Sequence, residues 1–327
     1  MSNKTKNINN FKKYNDKGLS GIVNLGNTCY INSAIQCLSH TLELTDFFLN
    51  TNWESIYNDS KYKHKQFSKQ WYRLLNGLWE DNCTISPNSL FKLMIKISNE
   101  DNLTFGFSSY KQNDIQEFII FVLDLLHESL GESLNYIPKE NSLESFYKNK
   151  YSKIIELFYG QIETIILDIN TNKKLSNSFQ PICIFSLPIP KNKDNINVKD
   201  CLELYLKEEL LDGENKWFNP KTKDYTIVNK RTKIVVYPQI LILCFNRFDN
   251  KSNKITCDIE VSDLNIDKNK YSLYGICNHF GSSLGGHYYS YCKNNNNWYK
   301  FNDNIVTKLE SINLNSANNY CLFYRKK

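Results

Sequence analysis

A chain of 327 residues, 41% hydrophobic and 14% aromatic, can bury a sizeable core as one large domain or two smaller ones, which excludes a disordered or collagen-like protein. Its 40 basic and 34 acidic residues leave a net charge of +6, and the lysines are spread along the chain without a basic run interleaved with aromatics, which argues against a nucleic-acid partner. Ten cysteines with no C-x-x-C pair, an N-terminus lacking an apolar signal segment and no apolar run of about 18 residues point to a reducing intracellular compartment, no membrane span and mostly free thiols.

In chain order, residues 1–18 are polar and read as a flexible tail. The text changes at Gly21, where a glycine-containing loop leads into a helix with Ile31, Ala34, Ile35, Leu38 and Leu42 on one face. Residues 66–80 and 87–98 read as helices, the second with Pro87 at its first position. Residues 111–130 are apolar over more than one face, so they read as a buried helix. Segments 158–170 and 178–190 look extended, and 201–211 reads as an amphipathic helix. From 232 onward the pattern is of strands: 232–248 with the apolar run Ile240–Phe245, then 271–280, 287–293, 298–303 and 319–326. Helices in the first half and strands in the second predict an α+β fold. The 45 asparagines, with abundant Lys, Ile and Tyr, look like the bias of an AT-rich coding sequence, which weakens Asn as a turn signal.

Among the ten thiols, Cys29 has a distinct setting. It follows Gly26-Asn27-Thr28 and opens a helix, where the dipole and unpaired N–H groups favour a thiolate of low pKa and offer donors to an oxyanion. Asn24 supplies a side-chain amide in the same loop. Cys37, Cys244 and Cys321 read as core residues. A thiolate acting on an acyl group needs a general acid for the leaving group, and His is the usual one. His64 lies in a polar run, His127 ends an apolar helix, and His40 is far from the start of the Cys29 helix. His287 follows Gly285-Gly286 and opens the strand HYYSYCK. A hairpin closed by the Asn-rich turn 294–297 pairs positions whose numbers sum to 591. Asn302 then shares the face of His287 at a diagonal Cα distance of about 7–8 Å, and Asp303 takes the other face unless the register slips by one. Asn302 is thus favoured to orient His287, with Asp303 as competitor.

These residues together resemble the ubiquitin-specific protease family of deubiquitinating enzymes. Gly21-Ile-Val-Asn-Leu-Gly-Asn-Thr-Cys29-Tyr-Ile-Asn-Ser is similar to its cysteine box, and Asn278-His279-Phe-Gly with Gly286-His287-Tyr-x-x-Tyr and Trp298-Tyr-x-Phe-Asn-Asp303 to its histidine box. Gln112-Asn-Asp114-Ile-Gln-Glu117-Phe118 and Pro238 to Arg247-Phe248 match two further family segments, so the resemblance runs from about residue 20 to 325.

The resemblance implies a papain-like fold with a helical thumb (about 20–155) and a β-rich palm with β fingers (about 156–327), forming one catalytic domain over 19–327. It implies a thiol-dependent deubiquitinase acting after the C-terminal glycine of ubiquitin. Cys29 is then the nucleophile, His287 the base, Asn302 the third triad residue with Asp303 assisting, and Asn24 the oxyanion donor. Asp114 and Glu117 would bind arginines of the ubiquitin tail, and Gly285, Gly286 and Tyr288 would line its path. The alternatives are a protease for another ubiquitin-like modifier or a weakly catalytic ubiquitin-binding scaffold. Ubiquitin and ubiquitinated proteins are the expected partners of a monomer in the cytoplasm or nucleus, of a host cell if the source is viral. Many members hold a zinc ribbon in the fingers with two C-x-x-C pairs. Here those positions read Asp168-Ile-Asn-Thr171 and Asn219-Pro-Lys-Thr222, so no metal and no cofactor are expected.

Overall fold

The computed structural model of the chain describes residues 8–52, 64–100, 113–191, 193–283, 285–311 and 313–327. Five helices come first: α1 (Cys29–Ser39), α2 (Leu42–Asn50), α3 (Lys65–Glu80), α4 (Asn88–Glu100) and α5 (Ile115–Leu130). In α3, Phe67, Trp71, Leu74, Leu75 and Leu78 recur at helical spacing and are buried as one stripe. The helix expected to run on to Leu42 instead stops at Ser39, and every residue of α1 is buried, so it is a core helix rather than an amphipathic surface one. Its flank is fixed by Tyr30, edge-on to Phe118 of α5 at 5.5 Å between ring centres. Asp114 caps α5, accepting from the N–H groups of Gln116 and Glu117. Residues 111 and 112, read as the start of this helix, lie outside the described residues.

Eight strands, all at or after residue 184, build one sheet. Its order is 305–309, 297–302, 285–294, 269–282, 319–326, 240–245 and 184–187, with 264–266 paired to 269–282. All pairings are antiparallel except that of 184–187 with 240–245. Ile240–Phe245 shows why its apolar run is unbroken. Ile240, Ile242 and Cys244 face the core shared with the helices, whereas Leu241, Leu243 and Phe245 face a second core under the helix Val198–Leu206. Both faces are covered, so both parities are apolar. Each fully buried large side chain here contributes about 1.5–3 kcal/mol. A second, four-stranded antiparallel sheet orders 174–182, 160–168, 228–236 and 209–211. Residues 209–211 were expected to continue the helix that starts near 201. The helix ends at Leu206, and Glu209–Leu211 instead pair with Val228–Lys230.

One expectation changes here. Residues 8–18 are not a flexible tail: Ile8–Tyr14 form a 3₁₀ helix, and Phe11 and Tyr14 are each only 6% exposed. Tyr14 packs edge-on to Trp79 and donates its hydroxyl to Asp46. Asn294, at the end of the His287 strand, donates to the carbonyls of Tyr14 and Lys17 and accepts from the N–H of Asp16. Most thiols are free, as expected, and one pair is joined. Cys244 and Cys321 stand directly opposite on paired strands, with Cα atoms 4.2 Å apart, and are joined as a disulfide. The other eight are free, and Cys277, Cys37 and Cys292 touch in a buried row.

Candidate active site

The loop before α1 folds on its own amide. Asn24 Oδ1 accepts from the N–H groups of Gly26 at 2.9 Å and Thr28 at 3.2 Å, and from the Thr28 hydroxyl. Thr28 in turn accepts from the N–H of Leu25. Gly26 at φ +99° and Asn27 at φ +52° make consecutive left-handed steps, which explains glycine followed by asparagine at this spot. The loop delivers Cys29 to the first position of α1, 3% exposed.

Burial pushes the Cys29 thiol up from its ordinary value; the backbone N–H of Tyr288 draws it partly down, and the negative charge of Asp303 raises it again. The low pKa expected from the helix terminus is therefore corrected. Loss of water around the sulfur outweighs the dipole, and the free protein holds Cys29 as a thiol.

His287 and Asn302 meet as the pairing rule places them. The strands 285–294 and 297–302 pair Ser290 with Phe301, Lys293 with Trp298 and Asn294 with Asn297, each pair summing to 591. Asn295 and Asn296, both at positive φ, form the two-residue turn. His287 Nε2 lies 2.5 Å from Asn302 Oδ1. A carbonyl oxygen accepts, so Nε2 carries the proton and Nδ1 keeps the lone pair. No hydrogen bond joins Cys29 to His287 among the described residues; the sulfur faces the N–H of the next residue, Tyr288.

Asp303 points away from the imidazole. Its carboxylate accepts from Asn24 Nδ2 at 3.0 Å and Asn32 Nδ2 at 2.8 Å, and its carbonyl accepts from the N–H of Ile22. The turn after Asn302 is thus bound to the loop before Cys29. Asn24 spends one amide hydrogen on Asp303, and a second remains on the same nitrogen.

Asp114 caps α5 and also accepts from the Tyr320 hydroxyl, while Glu117 is exposed in the first helical turn. Gln112 lies outside the described residues. Tyr288 is 5% exposed, its ring tilted against His279 and edge-on to Tyr320, and it turns its N–H toward the Cys29 sulfur. Gly285 is exposed. Gly286 has no room for a side chain, because a Cβ there would lie 2.4 Å from His279 Nε2. His279 is buried, and burial with Lys254 nearby lowers its pKa to about 4, so it is neutral. His127 is held by Ser152 and His40 by the Gln36 carbonyl, both away from this site.

Sequence reasoning assigned no role to Asn32 or His279. A buried amide one turn after Cys29 was the available signal for Asn32. His279 was visible only as a motif letter, since its place against Gly286 depends on strand pairing.

The finger positions where a zinc ribbon would bind do not suit a metal. Asp168 spends Oδ1 on the N–H groups of Asn170 and Thr171 and on the Thr171 hydroxyl, and Asn219 accepts from the N–H of Lys221. Each knuckle is closed by its own side chain, and neither offers a thiolate.

The sequence matches the family described as ubiquitin carboxyl-terminal hydrolase over residues 20–324. It is 31% identical to ubiquitin carboxyl-terminal hydrolase 2 of Rattus norvegicus, a match covering 94% of this chain and 54% of that protein. It is 32% identical to ubiquitin carboxyl-terminal hydrolase 2 of Gallus gallus, covering 94% and 93%. The chain thus spans about half the length of the rat relative. Among solved structures it is similar to a chain of the SAGA DUB module with Ubp8, Sgf11, Sus1 and Sgf73 bound to monoubiquitin. The TM-score there is 0.75 at 23% identity, covering 97% of this chain and 70% of that one, a likeness of fold.

Proposed function

The chain belongs to the ubiquitin carboxyl-terminal hydrolase family, and from that premise we propose that it is a thiol-dependent deubiquitinase that cleaves the bond after the last glycine of ubiquitin. The observation that carries this reading is the His287–Asn302 hydrogen bond, made in the hairpin whose first strand presents the Tyr288 N–H to Cys29. Cys29 Sγ attacks the glycine carbonyl carbon as His287 Nδ1 takes the thiol proton. A C–S bond forms, and the carbonyl oxygen becomes an oxyanion met by the second amide hydrogen of Asn24 and by N–H groups at the start of α1. His287 then gives the proton to the departing lysine amine as the C–N bond breaks. Water, deprotonated by His287, hydrolyses the thioester and restores Cys29. Asn302 keeps the imidazole in one tautomer throughout. Ubiquitin and ubiquitinated proteins are the proposed partners, with Asp114 and Glu117 meeting basic side chains of the ubiquitin tail, in the cytoplasm or nucleus.

Incubation with ubiquitin vinyl sulfone tests the reading. We expect a covalent adduct one ubiquitin heavier that is lost in Cys29→Ala and in His287→Ala. Absence of labelling in the intact protein overturns it, and labelling by a related-modifier probe in preference to ubiquitin reassigns the substrate.

A further inference from the structure

Phe280 is 66% exposed, directly after the buried run that ends at His279. Its ring is a large apolar surface left in water beside the site. Its place is set by the sheet. Phe280 pairs directly with His287, so both side chains leave the same face, with Cβ atoms about 4.5–5.5 Å apart. The next pairs are Gly281 with Gly286 and Ser282 with Gly285. A Cβ on Gly281 would lie 2.5 Å from the Gly286 Cα, so the two backbones are in close contact and hold Phe280 at a fixed spot. On the opposite flank of His287, Asn302 takes the imidazole Nε2 and pairs in turn with Ile305, which is 57% exposed. Four adjacent strands therefore present Phe280, His287, Asn302 and Ile305 on one face, with exposed apolar groups on both sides of the catalytic pair.

We infer that Phe280 is a specificity-determining contact for the leaving-group side of the substrate, its ring receiving the methylene stem of the lysine whose amine His287 protonates. This rests on the isopeptidase reading above. At proton transfer the amine must lie within hydrogen-bond reach of the imidazole. Strands stand about 4.8 Å apart, so the stem of a lysine held there reaches the neighbouring strand, and lysine stems pack along apolar surface while the nitrogen stays polar. A leaving group without such a stem has nothing to lay on the ring.

The test compares ubiquitin joined through an isopeptide bond to a lysine peptide with ubiquitin ethyl ester. In Phe280→Ala, the ratio of kcat/KM for the peptide to that for the ester falls about fivefold to tenfold, mostly through KM for the peptide. Phe280→Leu, which keeps an apolar surface, restores most of the ratio. An unchanged ratio, whether both substrates are slowed alike or neither is, overturns the inference and leaves the isopeptidase reading standing. An intact protein inert toward both substrates overturns that reading and the inference with it.

Discussion

Asn24 and Asp303, 279 positions apart in the chain, share a hydrogen bond of 3.0 Å. Asp303 holds the amide proposed to meet the oxyanion, and Asn302 holds the imidazole. Two neighbouring residues on one turn therefore serve two different ends of the site.

That division predicts unequal losses. Asn302→Ala frees the His287 ring and lowers kcat/KM on ubiquitin substrates roughly a hundredfold. Asp303→Ala leaves Asn24 still tied through Oδ1 to Gly26 and Thr28, so the loss is roughly tenfold. Steady-state kinetics on a fluorogenic ubiquitin substrate rank the two. The reverse order would place the orienting of His287 with Asp303.

His279 predicts an acid-sensitive step. Its pKa falls from the ordinary 6.5 to about 4 in the folded chain. Between those values the unfolded chain binds a proton that the native one does not, so stability is full above about 6.5 and drains away as the pH falls toward 4. Melting temperatures taken across pH 7 to 4 should fall over this window, and His279→Gln should flatten that part of the curve. An identical curve in the variant removes His279 as the cause.

The N-terminal segment predicts a stability loss at a distance. Asn294→Ala leaves the Tyr14 and Lys17 carbonyls and the Asp16 N–H without their shared partner, at a cost of about 1–3 kcal/mol. Urea unfolding gives the number. A change under about 0.5 kcal/mol would mean that water replaces the amide without penalty.

Metal removal should do nothing to the fingers. Treatment with a strong chelator is expected to leave both the melting temperature and ubiquitin hydrolysis unchanged. Asp168→Ala, by contrast, should speed amide exchange at Asn170 and Thr171, which bond to that carboxylate. Activity lost to the chelator and restored by zinc would contradict the donor set seen here.

Much of this arrangement was legible in the sequence. The two-residue period of a strand and a short Asn-rich turn were enough to place Asn302 beside His287. The apolar run at Ile240–Phe245 announced a strand buried on both faces. What stayed hidden depended on partners far along the chain. Phe11 and Tyr14 sit three apart in a polar segment, and only Trp79, Asp46 and Asn294 give them a place. Glu209–Leu211 continued a helical pattern until the strand at 228–230 claimed them. The Cys29 thiol was misjudged because a helix terminus is a local feature and burial is not. Asparagine was discounted as compositional bias, yet Asn27, Asn295 and Asn296 occupy left-handed positions that few other side chains tolerate.

The bond between Asn24 and Asp303 also orders events in time. The ribosome delivers Asn24 and Cys29 early, and Asp303 follows 279 positions after Asn24. A growing chain displays Cys29 long before it has His287, Asn302 or Asp303 to act with. The two halves of the site meet only when the last strands add to the sheet, a slow, long-range closure. A chain broken off before residue 287 carries Cys29 without His287, and one broken off before residue 303 lacks the carboxylate that holds the Asn24 amide.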